Sequence, residues 1–464
     1  MASGRVIWPP HPYRAGFCIT DDTDAATLEN VSIVYDFLSS IGLVASKTVW
    51  VFEPEEPCGI PPLPASIQRG ITLEDPRYLE YCRKLSARGF EICLHGASSG
   101  NNRRERMARA LRFVAEQFGP AGTYICHAKN AENIYWHEGV APQGAVRWAL
   151  SRLSRYRCSG EDPASPYFWG DLCREHVRHI RLFRTRNIDT LAANPSMPYF
   201  EAEKPFVRGW FGATKRSFRD CTTAEALDTL QRSHGLCVLY QYMHRYADLA
   251  AKRPYPDFRE SAERLMGTPG MMVATVSDIM SRLRTIHGVF VAQRGAQAWL
   301  ANVGEQDATE LQILLPPGCR ARAADPGVTQ SGELVRVPRL AAGKLLRLDL
   351  DPPAGFAGKR CVALDPAGRG RASFGFGEVL VNAGDEAWRL PTGLVVESGS
   401  AQAVFDREVE PLRPLSKASR AELLGLAAGQ AGVILGEILF KGRSANTRKF
   451  LGADSIPLED HANW

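Results

Sequence analysis

From Gly16 to about Ile286 the chain alternates short apolar runs with longer segments of helical period, which restricts the fold more than any other feature of the sequence. The short runs fall at 17–20, 48–52, 91–95, 123–127, 236–243 and 272–275, each of strand length. The helical segments 28–41, 76–88 and 103–118 close on Gly42, Gly89 and Gly119, the residue that tolerates a left-handed helix end. Repeated β-α units imply a parallel sheet with covering helices, and this many units favour a closed α/β barrel over an open sheet.

Past residue 286 the texture changes to short alternating strands at 289–292, 298–303, 311–315, 334–337, 345–350 and 360–364, punctuated by Gly, Pro and Asp. That pattern predicts an antiparallel β-sandwich running to about residue 400. The division expected is a catalytic barrel over 1–286, a β-sandwich over 287–400 and a C-terminal helical extension over 401–464. Within the extension, segment 423–440 approaches the length of a membrane span but holds Gln430, Glu437 and four glycines. Ser419-Arg420-Ala421-Glu422 before it has the form of a capping box. A closely packed helix is expected there, within the chain or in a homo-oligomer interface, with weak contact to a membrane surface as the lesser alternative.

A net charge of +5 over 464 residues, with no long block of Lys and Arg, argues against nucleic acid as a partner. Eleven cysteines without a Cys-x-x-Cys pair, several inside apolar runs, read as buried thiols of a reducing compartment. The N-terminus shows no secretory signal, so a cytoplasmic location is expected.

In a parallel barrel the reactive groups collect at the C-terminal ends of strands. Three polar sites follow apolar runs: Thr20-Asp21-Asp22-Thr23-Asp24, His95 and His244. Adjacent carboxylates repel unless a cation or proton lies between them. Asp22 with His95 would suit a divalent ion such as zinc, leaving Asp21 as a base toward water. The bland alternative is helix capping, which Asp24 or Thr27 before Leu28 would satisfy alone. His176 and His179, three apart among Arg174, Glu175, Arg178 and Arg181, read as a solvated helical face.

Thr20-Asp21-Asp22-Thr23 resembles the Thr-Phe-Asp-Asp-Gly motif of the polysaccharide deacetylase family, also known as the NodB-homology or carbohydrate esterase family 4 fold. His95-Gly96-Ala97-Ser98-Ser99 lies where that family has His-Ser/Thr-x-x-His, and 239–244 resembles its last strand with the acid histidine. The resemblance covers about residues 10–286. It implies a distorted (β/α) barrel, Asp21 as catalytic base, His244 as general acid, and Asp22 and His95 as ligands of a divalent metal, with zinc the foremost choice. Ser99 stands where the family has its second metal-binding histidine, and Asn102 is the substitute put forward, with Asn101 and His127 as alternatives. The family's Arg-Pro motif has no counterpart; Cys126-His127-Ala128-Lys129-Asn130 falls in its place, so His127 and Lys129 are expected to contact substrate. Trp169-Gly170-Asp171 is similar to the motif that supplies an Asp and a Trp near the acid histidine, which puts Trp169 and Asp171 on the substrate side.

The function expected is metal-dependent removal of an N- or O-acyl group from a carbohydrate-type substrate, with Tyr135, Trp136, Trp169 and Tyr242 as stacking surfaces. Two alternatives belong to other classes. One is a catalytically weakened barrel that binds carbohydrate or a partner. The other is a metal-independent glycoside hydrolase or lyase that pairs Asp21 or Asp22 with Asp171 or Glu138.

Overall fold

The computed structural model describes residues 3–59, 70–120, 122–127, 129–136, 157–194, 197–198, 204–294, 296–302, 304, 306–342, 344–356 and strand segments between 361 and 401. Glu138 and the 423–440 segment lie outside the described residues. No helix among those described is long and apolar enough to cross a membrane.

Strand β1 (Arg5–Ile7) is followed by seven parallel strands: β2 (Ala15–Asp21), β3 (Ser46–Val49), β4 (Glu91–Leu94), β5 (Thr123–Tyr124), β6 (His179–Thr185), β7 (Trp210–Thr214) and β8 (Leu236–Gln241). Each of β2 to β8 pairs with the next, and β8 pairs back onto β2 over Gly16↔Leu236 to Asp21↔Gln241, so the sheet closes into a barrel. The other edge of β2 is shared lengthwise. Its start receives β11 (Met271–Val273), which follows a hairpin of β9 (Ala247–Asp248) and β10 (Arg253–Pro254), and its end pairs with β3.

Helices α1 (Leu28–Ser40), α2 (Pro76–Ala87) and α3 (Arg104–Phe118) fall where the apolar period places them. The glycines that close them have φ of 73°, 91° and 89°, a region any β-carbon disfavours. On α1 Val31, Val34, Tyr35 and Leu38 are buried, one helical stripe against the barrel. Truncating one such residue, Leu38→Ala for instance, typically costs ~2–5 kcal/mol. The remaining helices are α4 (Gly170–His176), α5 (Thr190–Ala193), α6 (Phe218–Cys221), α7 (Ala224–Ser233), α8 (Pro256–Met266) and α9 (Val276–His287).

Two barrel strands, β6 and β7, were not among the expected runs, and β6 corrects the view of His176 and His179 as one solvated helical face. His176 ends α4 and is exposed, whereas His179 opens β6 and is buried. The run His-Ile-Arg-Leu-Phe-Arg-Thr alternates like a strand, but its basic residues mask that period. Burial, with Arg284 and Arg178 nearby, holds His179 down to about 3. Because this folded value lies below the unfolded one near 6.5, its contribution is complete above pH ~6.5 and is lost as the pH falls toward 3. His179→Leu is therefore expected to flatten the acid limb of stability by a few kcal/mol, read as urea midpoints at pH 7 and pH 4. An unchanged acid limb would contradict it.

Beyond the barrel lie β12 (Val289–Arg294), β13 (Gln297–Asn302), β14 (Ala308–Leu314), β15 (Arg320–Ala323), β16 (Thr329–Ser331), β17 (Leu334–Leu340), β18 (Leu345–Asp351), β19 (Cys361–Leu364) and β20 (Gly370–Ala372). They form two sheets, ordered β1-β14-β17-β16 and β15-β18-β13-β12-β19-β20, with every pairing antiparallel except β12 with β19. Leu300 and Leu348 of one sheet share a buried cluster with Ile313 and Val337 of the other and with Ile279 and Leu283 of α9. The first strand of the chain thus joins this later module, through Arg5↔Leu314 to Ile7↔Gln312, although it precedes the barrel in sequence. The ten cysteines whose surroundings are described are buried free thiols.

Candidate metal centre

The three aspartates at and just beyond the end of β2 part company because successive residues of an extended chain face opposite ways. Asp21 turns outward beneath α1. Its Oδ2 accepts the Tyr35 hydroxyl at 2.7 Å and the Lys47 ammonium at 2.9 Å, and its Oδ1 accepts the Met243 backbone N–H at 2.7 Å. Both Lys47 and Asp21 are buried, so this is an ion pair sealed between strand and helix.

Asp22 turns into the barrel and forms a two-pronged pair with Arg181, at 3.0 Å on each oxygen. The Arg181 guanidinium also donates to the Thr20 hydroxyl at 3.1 Å and lies 4.2 Å from the Tyr240 ring centre. A register irregularity in β6 between Arg181 and Phe183 sits at this point, a device that re-aims a strand side chain. Arg181, expected on a solvated surface, is completely buried.

Asp24 meets two histidines. Its Oδ1 lies 3.0 Å from His127 Nε2 and its Oδ2 lies 3.3 Å from His95 Nε2. All three side chains are buried, and their nearest ligand atoms lie within 4.8 Å of one another. Of the two candidates for capping, Asp24 and Thr27, it is Thr27 that caps: its hydroxyl accepts from the Asn30 N–H while the Asn30 side chain accepts from the Thr27 N–H.

Both imidazoles are oriented from behind. His95 Nδ1 lies 2.8 Å from the Ile125 carbonyl oxygen and His127 Nδ1 lies 2.8 Å from Asn130 Oδ1. Neither oxygen can donate, so each Nδ1 carries the proton and each Nε2 presents a lone pair toward Asp24. A carboxylate facing two imine lone pairs requires a positive charge between them, either protons or a cation. Burial opposes charge on His127 most strongly, yet the facing Asp24 carboxylate lifts its pKa well above the ordinary value. Burial likewise pushes Asp24 up, but His127 and His95 together hold it far below the usual carboxylate range. The charges of Asp21 and Asp22 are already matched by Lys47 and Arg181, which leaves Asp24 as the carboxylate of the three with no Lys or Arg against it among the described residues. A histidine whose other nitrogen donates to an oxygen acceptor is the usual form of a metal ligand, so this donor set fits a divalent ion.

Trp50, just past β3, walls the cluster. Its indole N–H donates to the His95 carbonyl at 2.9 Å, and its ring lies 6.1 Å from His95 and 5.4 Å from His127.

The other expected site residues are distributed as follows. Asn102 is not turned toward Asp24; its amide donates to the Gly100 carbonyl and the Glu132 carboxylate and accepts from the Ser98 hydroxyl. Ser99 is buried, and its hydroxyl finds no hydrogen-bond partner among the described residues. Trp169 is buried against Tyr124 and donates its indole N–H to the Glu132 carbonyl, and Tyr135 packs on Phe206 and Trp210. Asp171 is half exposed on α4, held in a two-pronged pair by Arg104. Lys129 is half-buried at a positive φ of 76° in the loop after His127.

His244 sits on a single 3-10 turn, Met243–Tyr246, beside the Tyr242 ring. Its Nδ1 is buried without a hydrogen-bond partner among the described residues, and burial, opposed by Asp21, lowers its pKa to about 4. Near pH 7 it is neutral.

Sequence reasoning passed over Lys47, Arg181 and Asp24. The signal for the first two was a cation inside an apolar strand run, Ala45-Ser46-Lys47-Thr48-Val49 and His179-Ile180-Arg181-Leu182-Phe183, where burial demands a partner.

No family model and no curated protein matches this chain. Among solved structures, it is similar to the PuuE allantoinase at 12% identity and a TM-score of 0.33, over 60% of this chain and 95% of that one. A probable polysaccharide deacetylase from Pseudomonas aeruginosa PAO1 is similar at 12% identity and a TM-score of 0.32, over 59% of this chain and 94% of that one.

Proposed function

We propose that the barrel is a divergent polysaccharide deacetylase-type hydrolase that removes an acyl group from an amide or ester on a carbohydrate-type substrate, using a divalent cation held by Asp24, His95 and His127. The observation that carries this is the convergence of two correctly oriented Nε2 lone pairs on a buried carboxylate. His127 thus takes the ligand place for which Asn102 was put forward, and Asp24 takes that of Asp22. A cation bound there supplies Lewis acidity toward the acyl carbonyl and lowers the pKa of water.

The chain's own groups do the rest. Asp22 is the carboxylate beside the cluster, its Oδ2 3.7 Å from His95 Nε2. Arg181 fixes it in one orientation, so the base role passes from Asp21 to Asp22. His244, neutral at pH 7, can give a proton to the leaving amine or alcohol only once the proton that Asp22 takes from the attacking water has been passed on to it. Half-buried Tyr242 forms a wall next to His244, and Lys129 remains the cation offered to substrate. The two sheets after residue 286 are read as an accessory β-sandwich. Asp171 is engaged by Arg104 in a half-exposed pair.

The deciding experiment strips the purified protein with a chelator, then measures metal content and acetate release from N-acetylated and O-acetylated sugar oligomers with and without Zn2+. One bound ion per chain and activity that returns with the ion are expected. Turnover indifferent to chelation, with no stoichiometric metal, would defeat the proposal.

A further inference from the structure

Behind His127 lies a buried polar chain that the reaction outlined above does not use. Glu132 is fully buried. Its Oε1 accepts the side-chain N–H groups of Asn130 at 2.8 Å and Asn102 at 2.7 Å, and its Oε2 accepts the Asn102 backbone N–H at 3.0 Å. The Asn130 amide also donates to the Gly100 carbonyl at 2.7 Å and approaches the Ser98 carbonyl at 3.3 Å.

These contacts leave Asn130 one orientation. Its NH2 faces two carbonyls and a carboxylate, none of which can donate, so a flipped amide would place oxygen against three acceptors. Asn130 Oδ1 must then face His127 Nδ1 at 2.8 Å, while the Cys58 thiol, 3.4 Å from that oxygen, has its shorter contact at 2.8 Å with the Ser99 carbonyl. The loop from 96 to 102, which follows His95, is tied to the same carboxylate through Asn102. Gly96 makes that tie feasible: at φ 86°, a β-carbon there would come within 3.2 Å of the Ser98 carbonyl and 3.3 Å of the Asn130 amide.

We infer that Glu132 and Asn130 are positioning residues: Glu132 fixes the Asn130 amide, Asn130 holds the proton of His127 on Nδ1, and Nε2 is thereby kept as the nitrogen that binds the cation. The same carboxylate sets the loop behind His95, so one buried acid orients both imidazole ligands without touching the ion. This rests on the proposed cation site, but the orientation of His127 can be read without any metal.

The test is Glu132→Ala, measured two ways. Without the carboxylate all three donors lose their acceptor, and the Asn130 amide is held by the Gly100 and Ser98 carbonyls alone, so its grip on His127 Nδ1 loosens. Zn2+ affinity, obtained by competition with a chromophoric chelator, is expected to fall ~10–100-fold, the effect typical of losing such a support. In parallel, 15N-histidine spectra of the metal-free protein with neutral imidazole are expected to show His127 protonated on Nδ1 in the wild type and partly on Nε2 in the variant. A merely structural role would lower stability without moving the tautomer. Wild-type affinity together with an unchanged Nδ1–H tautomer in the variant would overturn the inference, as would an Nε2–H tautomer in the wild type, which needs no folded variant. A wild type that shows Nδ1–H and shifts in the variant, yet takes up no Zn2+, supports the relay and defeats the cation site alone.

Discussion

Asp24→Ala is expected to abolish stoichiometric Zn2+ binding and to lower acyl hydrolysis by at least ~1,000-fold, on the scale of losing a group that organises charge at a reacting centre. The carboxylate is the one anionic member of the cluster, placed 3.0 and 3.3 Å from the two Nε2 atoms. Without it, two neutral imidazoles would have to hold a divalent ion alone. Thermal denaturation separates this from misfolding. A ligand that binds only the folded state adds RT ln(1 + [L]/Kd), about 2.7 kcal/mol at a hundredfold excess over Kd. Wild type should gain that increment on adding Zn2+, and Asp24→Ala should fold without it. Asn102→Ala, by contrast, should retain measurable binding, because its amide is engaged by Ser98, Gly100 and Glu132. Equal losses in the two variants would count against the ligand set proposed.

Lys47→Met is expected to be the most destabilising single substitution in the barrel wall, by about 3–5 kcal/mol, since it strands the buried Asp21 carboxylate opposite an apolar chain. Lys47→Met with Asp21→Asn should recover much of that loss, because the double variant buries no net charge and the Tyr35 hydroxyl can still donate to the Asn oxygen. Urea midpoints of the two single variants and the double variant form the cycle that measures the coupling. The same cycle separates two roles for Asp21. A base would give Asp21→Asn with wild-type stability and no turnover. A structural pair gives instability in the single variant and a folded, Zn2+-binding protein in the double, with reduced turnover through the Met243 N–H that Asp21 holds beside His244. Wild-type stability in Lys47→Met would refute the pair's importance.

The barrel was legible because its signals are local. Helices α1, α2 and α3 follow from apolar spacing and glycine stops, and β2, β4 and β8 from uninterrupted apolar runs. Strands β6 and β7 escaped notice for a physical reason. β6 carries buried Arg181 and His179, and a charge inside a strand reads as surface until its partner is known. The site was half legible. His95 and the aspartate cluster stand at strand ends as a parallel barrel requires, but the allotment of roles among Asp21, Asp22 and Asp24 was not readable.

Sequence by itself determined that a barrel would form and where its reactive rim would lie, because apolar period and strand-end polarity depend only on near neighbours along the chain. Tertiary structure decided which carboxylate faces which cation. Lys47, Arg181 and His127 lie 26, 159 and 103 residues from Asp21, Asp22 and Asp24 respectively; strand pairing sets Lys47 beside Asp21, and the curvature of the sheet into a barrel brings Arg181 and His127 to their partners. Strand alternation then sends Asp21 outward to Lys47 and Asp22 inward to Arg181, while Thr27 relieves Asp24 of capping the next helix. The pair that looked like one shared site in sequence is thus two neutralised ion pairs, and the carboxylate that faces imidazoles instead lies two residues beyond Asp22.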